Sequence, residues 1–207
     1  ALEHDPDDLA VQDDLIQWHL EEARIAESRY AAPELPAQLR NQARLLSNQM
    51  MEHHDDDPVA RLYRCRLLLD LGDQQAAIPL VDELERQMLE QPTSVWATLR
   101  TANVLTRLDS NLDSWQRAVQ VLRSGVKRWP DQARLYLSLG HVLRHLDLGQ
   151  EAIEIFKQGR EITAAVDPIT AHLQAQTQMS CTFGYIDVRL DDLDKTTDTR
   201  AREEILA

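Results

Sequence analysis

Glycine and cysteine are scarce in this chain, which has 6 Gly and 2 Cys among its 207 residues. A glycine-rich loop that cradles phosphate cannot be built from so few glycines. The two cysteines, Cys65 and Cys181, are too few for a disulfide framework, and we expect free thiols. Aromatic residues are also few, at 5%, while Ala, Leu, Gln, Glu and Arg are plentiful, a composition that favours helix.

Long apolar runs are absent. The longest, such as the run at 76–81, falls far short of the roughly 20 residues that cross a bilayer. The first residues are polar and acidic, unlike a secretory signal. We expect no membrane insertion, and the sequence favours the cytoplasm while leaving the periplasm open.

Positive charge is in deficit, since the net charge is −13. Residues 1–57 carry 14 acidic and 4 basic side chains, residues 58–166 carry 13 and 14, and residues 167–207 carry 8 and 4. Binding to nucleic acid needs a dense basic face, so no nucleic-acid partner is expected. The ends of the chain are acidic and the middle is balanced.

Motifs for catalysis are also missing. The sequence contains no nucleophile elbow or phosphate-binding loop, so we expect no enzyme and no cofactor. His141 and His145 have the i, i+4 spacing of a zinc pair, but no Glu follows His141 as in metalloproteases. We expect groove or surface histidines here, a solvated helix end at 53–57, and no metal site.

An internal repeat is present. Three Ala-apolar pairs begin at Ala77, Ala118 and Ala152, which lie 41 and then 34 residues apart. An apolar residue follows each alanine four positions later, and two of the three units have a glycine three positions further on. The residues in question are Val81, Leu122 and Phe156, then Gly125 and Gly159. Such a period is typical of helical-repeat architectures.

The pattern resembles the tetratricopeptide repeat, a unit of 34 residues that folds as a helix A and a helix B. The best match is 133–166, and a second unit is 58–91. The third unit, 92–132, carries about seven extra residues between Thr106 and Trp115, either as added helical turns or as a longer loop. The matching residues of the best unit are Tyr136, Leu139, Gly140, Leu143, Ala152 and Phe156.

The resemblance implies an all-α fold, a right-handed solenoid of antiparallel helix hairpins. Residues 1–57 are interpreted as the end of an upstream repeat followed by a divergent hairpin that is broken at 33–36. Residues 167–207 are a degenerate repeat or capping helices, in which 185–190 is either strand or helix. Pro79 falls inside a predicted helix B and is tolerable only near a helix start.

The resemblance also implies a concave groove lined by helices A, which binds a protein or peptide. Arginine pairs well with carboxylates, so an acidic or C-terminal carboxylate segment is the expected partner. The same arginines are also explained as solvated side chains with partners on their own helices, and both interpretations stay open. The implied groove residues are Arg66, Arg100, Asn103, Arg134, Leu137, His141, Arg144 and His145.

The sequence therefore predicts a non-catalytic scaffold. Two alternatives stay open: a self-associating homo-oligomer, and the regulatory segment of a larger enzyme. The second arises because 136–159 is similar to repeats that precede sulfotransferase domains in some bacterial proteins. The four tryptophans, at 18, 96, 115 and 129, are expected to be packing residues, with Trp115 the candidate for an exposed anchor.

Overall fold

The computed structural model describes residues 8–28, 34–108, 112–162 and 168–195, and in the last range the side chains of 175–191. These ranges contain α-helices and no strand, so the all-α, helical-repeat class is confirmed and 185–190 is helical. The predicted upstream repeat end, residues 1–8, lies outside the described residues except for Asp8. The helices are α1 (Leu9–Ser28), α2 (Glu34–His53), α3 (Pro58–Asp70), α4 (Gln74–Glu90), α5 (Val95–Leu108), α6 (Leu112–Arg128), α7 (Ala133–His145), α8 (Gly149–Glu161) and α9 (Pro168–Lys195).

The chain divides into two compact units, Ala1–Leu84 and Glu85–Ala207. The division falls within α4, whereas the predicted domain boundaries at 57/58 and 166/167 stay predictions. The first unit is built on the α1–α2 hairpin, where apolar residues recur at helical spacing and face each other. Its core is formed by Ile16, Ala43, Met50, Ala60 and Leu67, all without exposed surface.

Local sequence signals set the ends of α3. The Asp57 side chain caps the helix by accepting from the Val59 N–H at 2.7 Å, and Pro58 occupies the first turn, where its missing N–H costs nothing. Gly72 follows the helix with φ of 75°, a left-handed conformation that glycine adopts without strain. The chain can therefore reverse direction into α4 within three residues.

Pro79 lies inside helix B, as the sequence predicts, but not near the helix start, where alone we expected it to be tolerable. The first backbone hydrogen bond of α4 joins the Ala77 N–H to the Asp73 carbonyl, so Pro79 is beyond the first turn, inside the helix. Its missing N–H removes the helical donor of the Gln75 carbonyl. Both residues are exposed, so water can hydrate that carbonyl, and this is why the helix continues through the proline.

The second unit contains two helix hairpins, α5–α6 and α7–α8, and α9 packs on α7 and α8. All the repeat positions predicted in 133–166 are buried, from Tyr136 to Phe156. Three residues separate α5 from α6, and α6 has 17 residues whereas α8 has 13. Helix α4 of the unit 58–91 also has 17 residues, so helix length does not locate the extra residues of 92–132, and their position stays a prediction.

Small residues lie where the helices approach most closely. A Cβ on Gly140 of α7 would lie 2.6 Å from Cζ of Phe156 in α8. A Cβ on Gly159 of α8 would lie 2.9 Å from both Tyr136 Cβ and Cys181 Sγ. The contacts of Gly140 with Phe156 and of Gly159 with Tyr136 are the helix A to helix B contacts that the repeat predicts, so the tetratricopeptide-like hairpin is confirmed.

Candidate functional site

A groove of about 640 Å³ runs along α5 and α7 of the second unit. This volume is within the range typical of ligand sites. Two residues of α6, Trp115 and Leu122, and Gln132 before α7 also face it. The lining from α5 is Val95, Trp96, Leu99, Arg100, Ala102, Asn103 and Thr106, and that from α7 is Arg134, Leu137, Ser138, His141, Val142 and His145.

Six of the eight predicted site residues line this groove together, and all six come from helices A. The other two, Arg66 and Arg144, do not. Arg66 belongs to the first unit, and Arg144 is engaged on the side of α7 that faces α9. The six lining residues are Arg100, Asn103, Arg134, Leu137, His141 and His145.

The groove is basic within an acidic chain. None of its lining residues, as far as the structure describes the chain, is an Asp or Glu. Arg100 and Arg134 are both exposed, and neither forms an ion pair with a described residue. The guanidinium of Arg100 lies over the ring of Trp96, with Cζ 5.7 Å from the ring centroid. Such a cation–π contact holds the planar group in place while leaving its donors available.

Aromatic side chains border the groove. The rings of Trp115 and His145 are 4.6 Å apart between centroids, and Trp115 is half-buried. The expectation that the tryptophans are packing residues is wrong for Trp18 and Trp96, which are 54% and 38% exposed. Helical spacing places a residue on a face, but whether another helix covers that face is decided by the fold. Trp96 is a lining residue of the groove, and sequence reasoning missed it.

The two groove histidines pack on different aromatic rings. His141 meets Phe156 edge-on with ring centroids 5.4 Å apart, whereas His145 meets Trp115. Loss of hydration lowers the pKa of His141; the positive charge of Arg144 and the neighbouring His145 act in the same direction, and Asp187 opposes them. In the described part of the chain, no three His, Cys, Asp or Glu side chains are grouped to hold a metal ion.

Arg144 pairs with two carboxylates of α9. Its Nη1 lies 3.2 Å from Oδ2 of Asp187, and its Nη2 lies 2.9 Å from Oδ2 of Asp191. These aspartates were not among the predicted site residues. Their i, i+4 spacing was the signal that could have identified them as one acidic face, provided that 185–190 was read as helix and not as strand.

Arg66 also forms ion pairs, with Asp13 at 3.3 Å and with Asp70 at 3.9 Å. Asp13 is in α1 and only 6% exposed, so Arg66 links α3 to a buried carboxylate of another helix. Asp70 lies on the same helix, four residues on. The interpretation of these arginines as solvated side chains with intrahelical partners therefore holds in part for Arg66 and for Arg100, which contacts the Trp96 ring of its own helix. Neither Arg100 nor Arg134 forms an ion pair with a described residue.

Both cysteines are free thiols, as expected, and both are buried. Within the part of the chain that the structure describes, no helix has the length and apolarity needed to span a membrane.

No protein-family model and no curated protein matches the chain. Among solved structures, it is similar to MamA, residue 41 to the end, from Desulfovibrio magneticus RS-1, at 19% identity over 90% of this chain and 98% of that one. A double mutant of MamA RS-1 is 18% identical over 89% and 98%. TTC0263, a thermophilic TPR protein in Thermus thermophilus, is 16% identical over 92% and 97%. The TM-score is 0.46 in each case.

Proposed function

We propose that this chain is a non-catalytic scaffold that holds a protein or peptide segment in the groove of its second unit. One observation carries the proposal: a chain with a net charge of −13 presents a groove with two arginines and no carboxylate among its described lining residues. A surface whose charge opposes that of the whole molecule is a feature that favours recognition of an anionic ligand.

The ligand that fits this groove is an extended segment with carboxylates and apolar side chains. Each guanidinium has a planar set of N–H donors that can form a bidentate pair of hydrogen bonds with a carboxylate. Leu99 and Leu137 also line the groove and provide apolar contact area, to which Trp96 adds. Asn103 can donate to and accept from the backbone of a bound peptide. An internal acidic segment and a C-terminal carboxylate both satisfy this chemistry.

The experiment that tests the proposal uses the full chain and a fluorescein-labelled peptide of alternating Asp and Leu, with fluorescence anisotropy as the readout. A peptide of alternating Lys and Leu serves as its opposite. We expect the acidic peptide to bind and the basic one not to bind. Replacing one arginine, by Arg100→Ala or Arg134→Ala, should weaken binding roughly tenfold, because a charge-assisted hydrogen bond contributes about 1.5 kcal/mol or more.

A matched control is Arg128→Ala, which removes an exposed arginine that does not line the groove. This variant should bind the acidic peptide about as well as the parent chain. If it weakens binding as much as Arg134→Ala does, the attraction comes from overall charge and the groove is not the site. Light scattering at several protein concentrations accompanies the titration, because a second copy bound in the groove would compete with the peptide.

A further inference from the structure

Helix α9 packs on α8 in the way that α7 packs on α6. Gly125 in α6 and Gly159 in α8 lie 34 residues apart, at the same position of their repeats. A Cβ on Gly125 would lie 3.2 Å from Cδ2 of Leu135 in α7, and a Cβ on Gly159 would lie 2.9 Å from Sγ of Cys181 in α9. Cys181 therefore occupies on α9 the place that Leu135 occupies on α7.

This equivalence assigns a groove-facing edge to α9. The groove residues of α7 that follow Leu135 include Leu137, His141 and His145. The residues at the same distances after Cys181 are Phe183, Asp187 and Asp191. All three are exposed, and Phe183 is 60% exposed, so its ring is accessible to a partner.

The ion pairs of Arg144 support this register independently. Arg144 comes directly before His145 on α7 and reaches sideways to Asp187 and Asp191. That contact places both aspartates on the edge of α9 that lies against α7. A wall made of α9 thus continues the binding face beyond α7.

The sign of charge changes along this face. The α5 and α7 walls carry Arg100 and Arg134, with no carboxylate among the described lining residues. Asp187 and Asp191 of α9 share Arg144, so within this described group of three side chains one negative charge is in excess. Both aspartate side chains keep more than half of their surface exposed, at 54% and 53%, and can accept a further donor.

We infer that α9 is a third wall of the binding face and that the partner segment has two charged ends. Its carboxylates contact Arg100 and Arg134, an apolar side chain packs on Phe183, and a Lys or Arg pairs with Asp187 and Asp191. This inference rests on the proposed function, and charge complementarity is its basis. The α5–α7 groove alone favours a segment with carboxylates and apolar side chains, and the α9 wall adds the requirement for a Lys or Arg in that segment.

The test compares labelled peptides with an acidic end, a leucine-containing middle and a lysine end against peptides with asparagines in place of the lysines. Both sequence directions are used, because the groove does not define the polarity of the bound chain. We expect the lysines to improve binding about threefold to fivefold in one direction, the range of an exposed charge pair. The Asp187→Asn, Asp191→Asn double variant should lose this gain, and Phe183→Ser should weaken both members of that peptide pair.

The controls separate this inference from the proposed function. Asp82→Asn, Glu154→Gln removes exposed carboxylates elsewhere on the chain and should leave the gain intact. Circular dichroism establishes that each variant keeps its helix content. If the acidic peptide binds through Arg100 and Arg134 but lysines bring no gain in either direction, the third wall is refuted and the groove stands. If no acidic peptide binds, both ideas fail together.

Discussion

The ring of Phe156 fills the space between Gly140 and Gly184, so that a Cβ built on either glycine would lie 2.6 Å from its Cζ atom. Phe156 has no exposed surface. One side chain of α8 thereby fixes the distance to α7 on one side and to α9 on the other. Because the same helices carry the proposed binding face, this contact connects the packing of the unit to the spacing of its walls.

Gly140→Ala is expected to destabilise the chain by about 1–2 kcal/mol. The added methyl group overlaps the Phe156 ring, which cannot move away because α9 lies against its other side at Gly184. The cost of this overpacking outweighs the gain of about 1 kcal/mol in helix propensity. Urea denaturation followed by circular dichroism measures the change. In a Phe156→Leu background the same substitution should cost less, because the smaller side chain leaves room. An equal cost in both backgrounds would show that the ring is not the obstacle.

Arg66→Gln is expected to lower the free energy of unfolding by about 1–2 kcal/mol, because the buried carboxylate of Asp13 loses its cation. The value is below that of a fully buried pair since the Arg66 side chain is 38% exposed. Arg24→Gln is the matched control, because its pair with Glu21 is exposed and screened by solvent and should change the free energy of unfolding much less. Equal stabilities of the two variants would contradict a structural role for Arg66. Binding of the acidic peptide should be unchanged in both.

Stability should fall as the pH rises above about 9. Burial raises the pKa of Cys65 to about 12 and that of Cys181 to about 11, from an ordinary value of 9.0. The folded chain keeps these protons at a pH where the unfolded chain releases them, so the stabilisation is complete below 9 and is lost as the pH approaches 11 to 12. Urea denaturation at pH 8 and pH 10 measures the loss. In a Cys65→Ala, Cys181→Ala variant the free energy of unfolding should fall less between pH 8 and pH 10. An equally large fall would rule out the thiols as its cause.

Acidic-peptide binding should strengthen as the pH falls below 6.5. The pKa of His141 lies below its usual 6.5, so this groove residue gains its positive charge only under mildly acidic conditions, while peptide carboxylates stay ionised. A bound anion favours the protonated form, so the complex takes up a proton. The groups that face His141 are Arg144, His145 and Asp187. Anisotropy titrations at pH 7.5 and 5.5 measure the gain, which should be smaller in His141→Gln.

The same low pKa has a consequence for the free chain. Because the unfolded state binds a proton at His141 more readily than the folded state does, His141 contributes stability at neutral pH that is lost as the pH falls through its lowered pKa. The fall in stability between pH 7 and pH 5 should therefore be shallower in His141→Gln. An unchanged slope in that variant would mean that other groups account for it.

The repeat and its helices were predictable because local patterns decide them. The spacing of Ala77, Ala118 and Ala152 and the glycine at Gly140 report which helix faces must pack, and burial in the folded chain agrees with them. Pro79 was misjudged because the cost of a lost hydrogen bond depends on whether water reaches the freed carbonyl, which a linear pattern does not state. Exposure of Trp18 and Trp96 was missed for a related reason, since the pattern does not say which faces a neighbouring helix covers.

The sequence alone determined that this protein is helical, repetitive and acidic. It also indicated which segments form helices A, because helical periodicity and composition are local properties that can be recognised within a few turns of the chain. The tertiary structure decided which arginines remain available. Arg66 pairs with a carboxylate 53 positions earlier in the chain, and Arg144 pairs with residues 43 and 47 positions later, whereas Arg100 and Arg134 keep their donors free of ion pairs with the described residues. Such pairings depend on how helices stack, a long-range outcome of packing that local spacing does not encode.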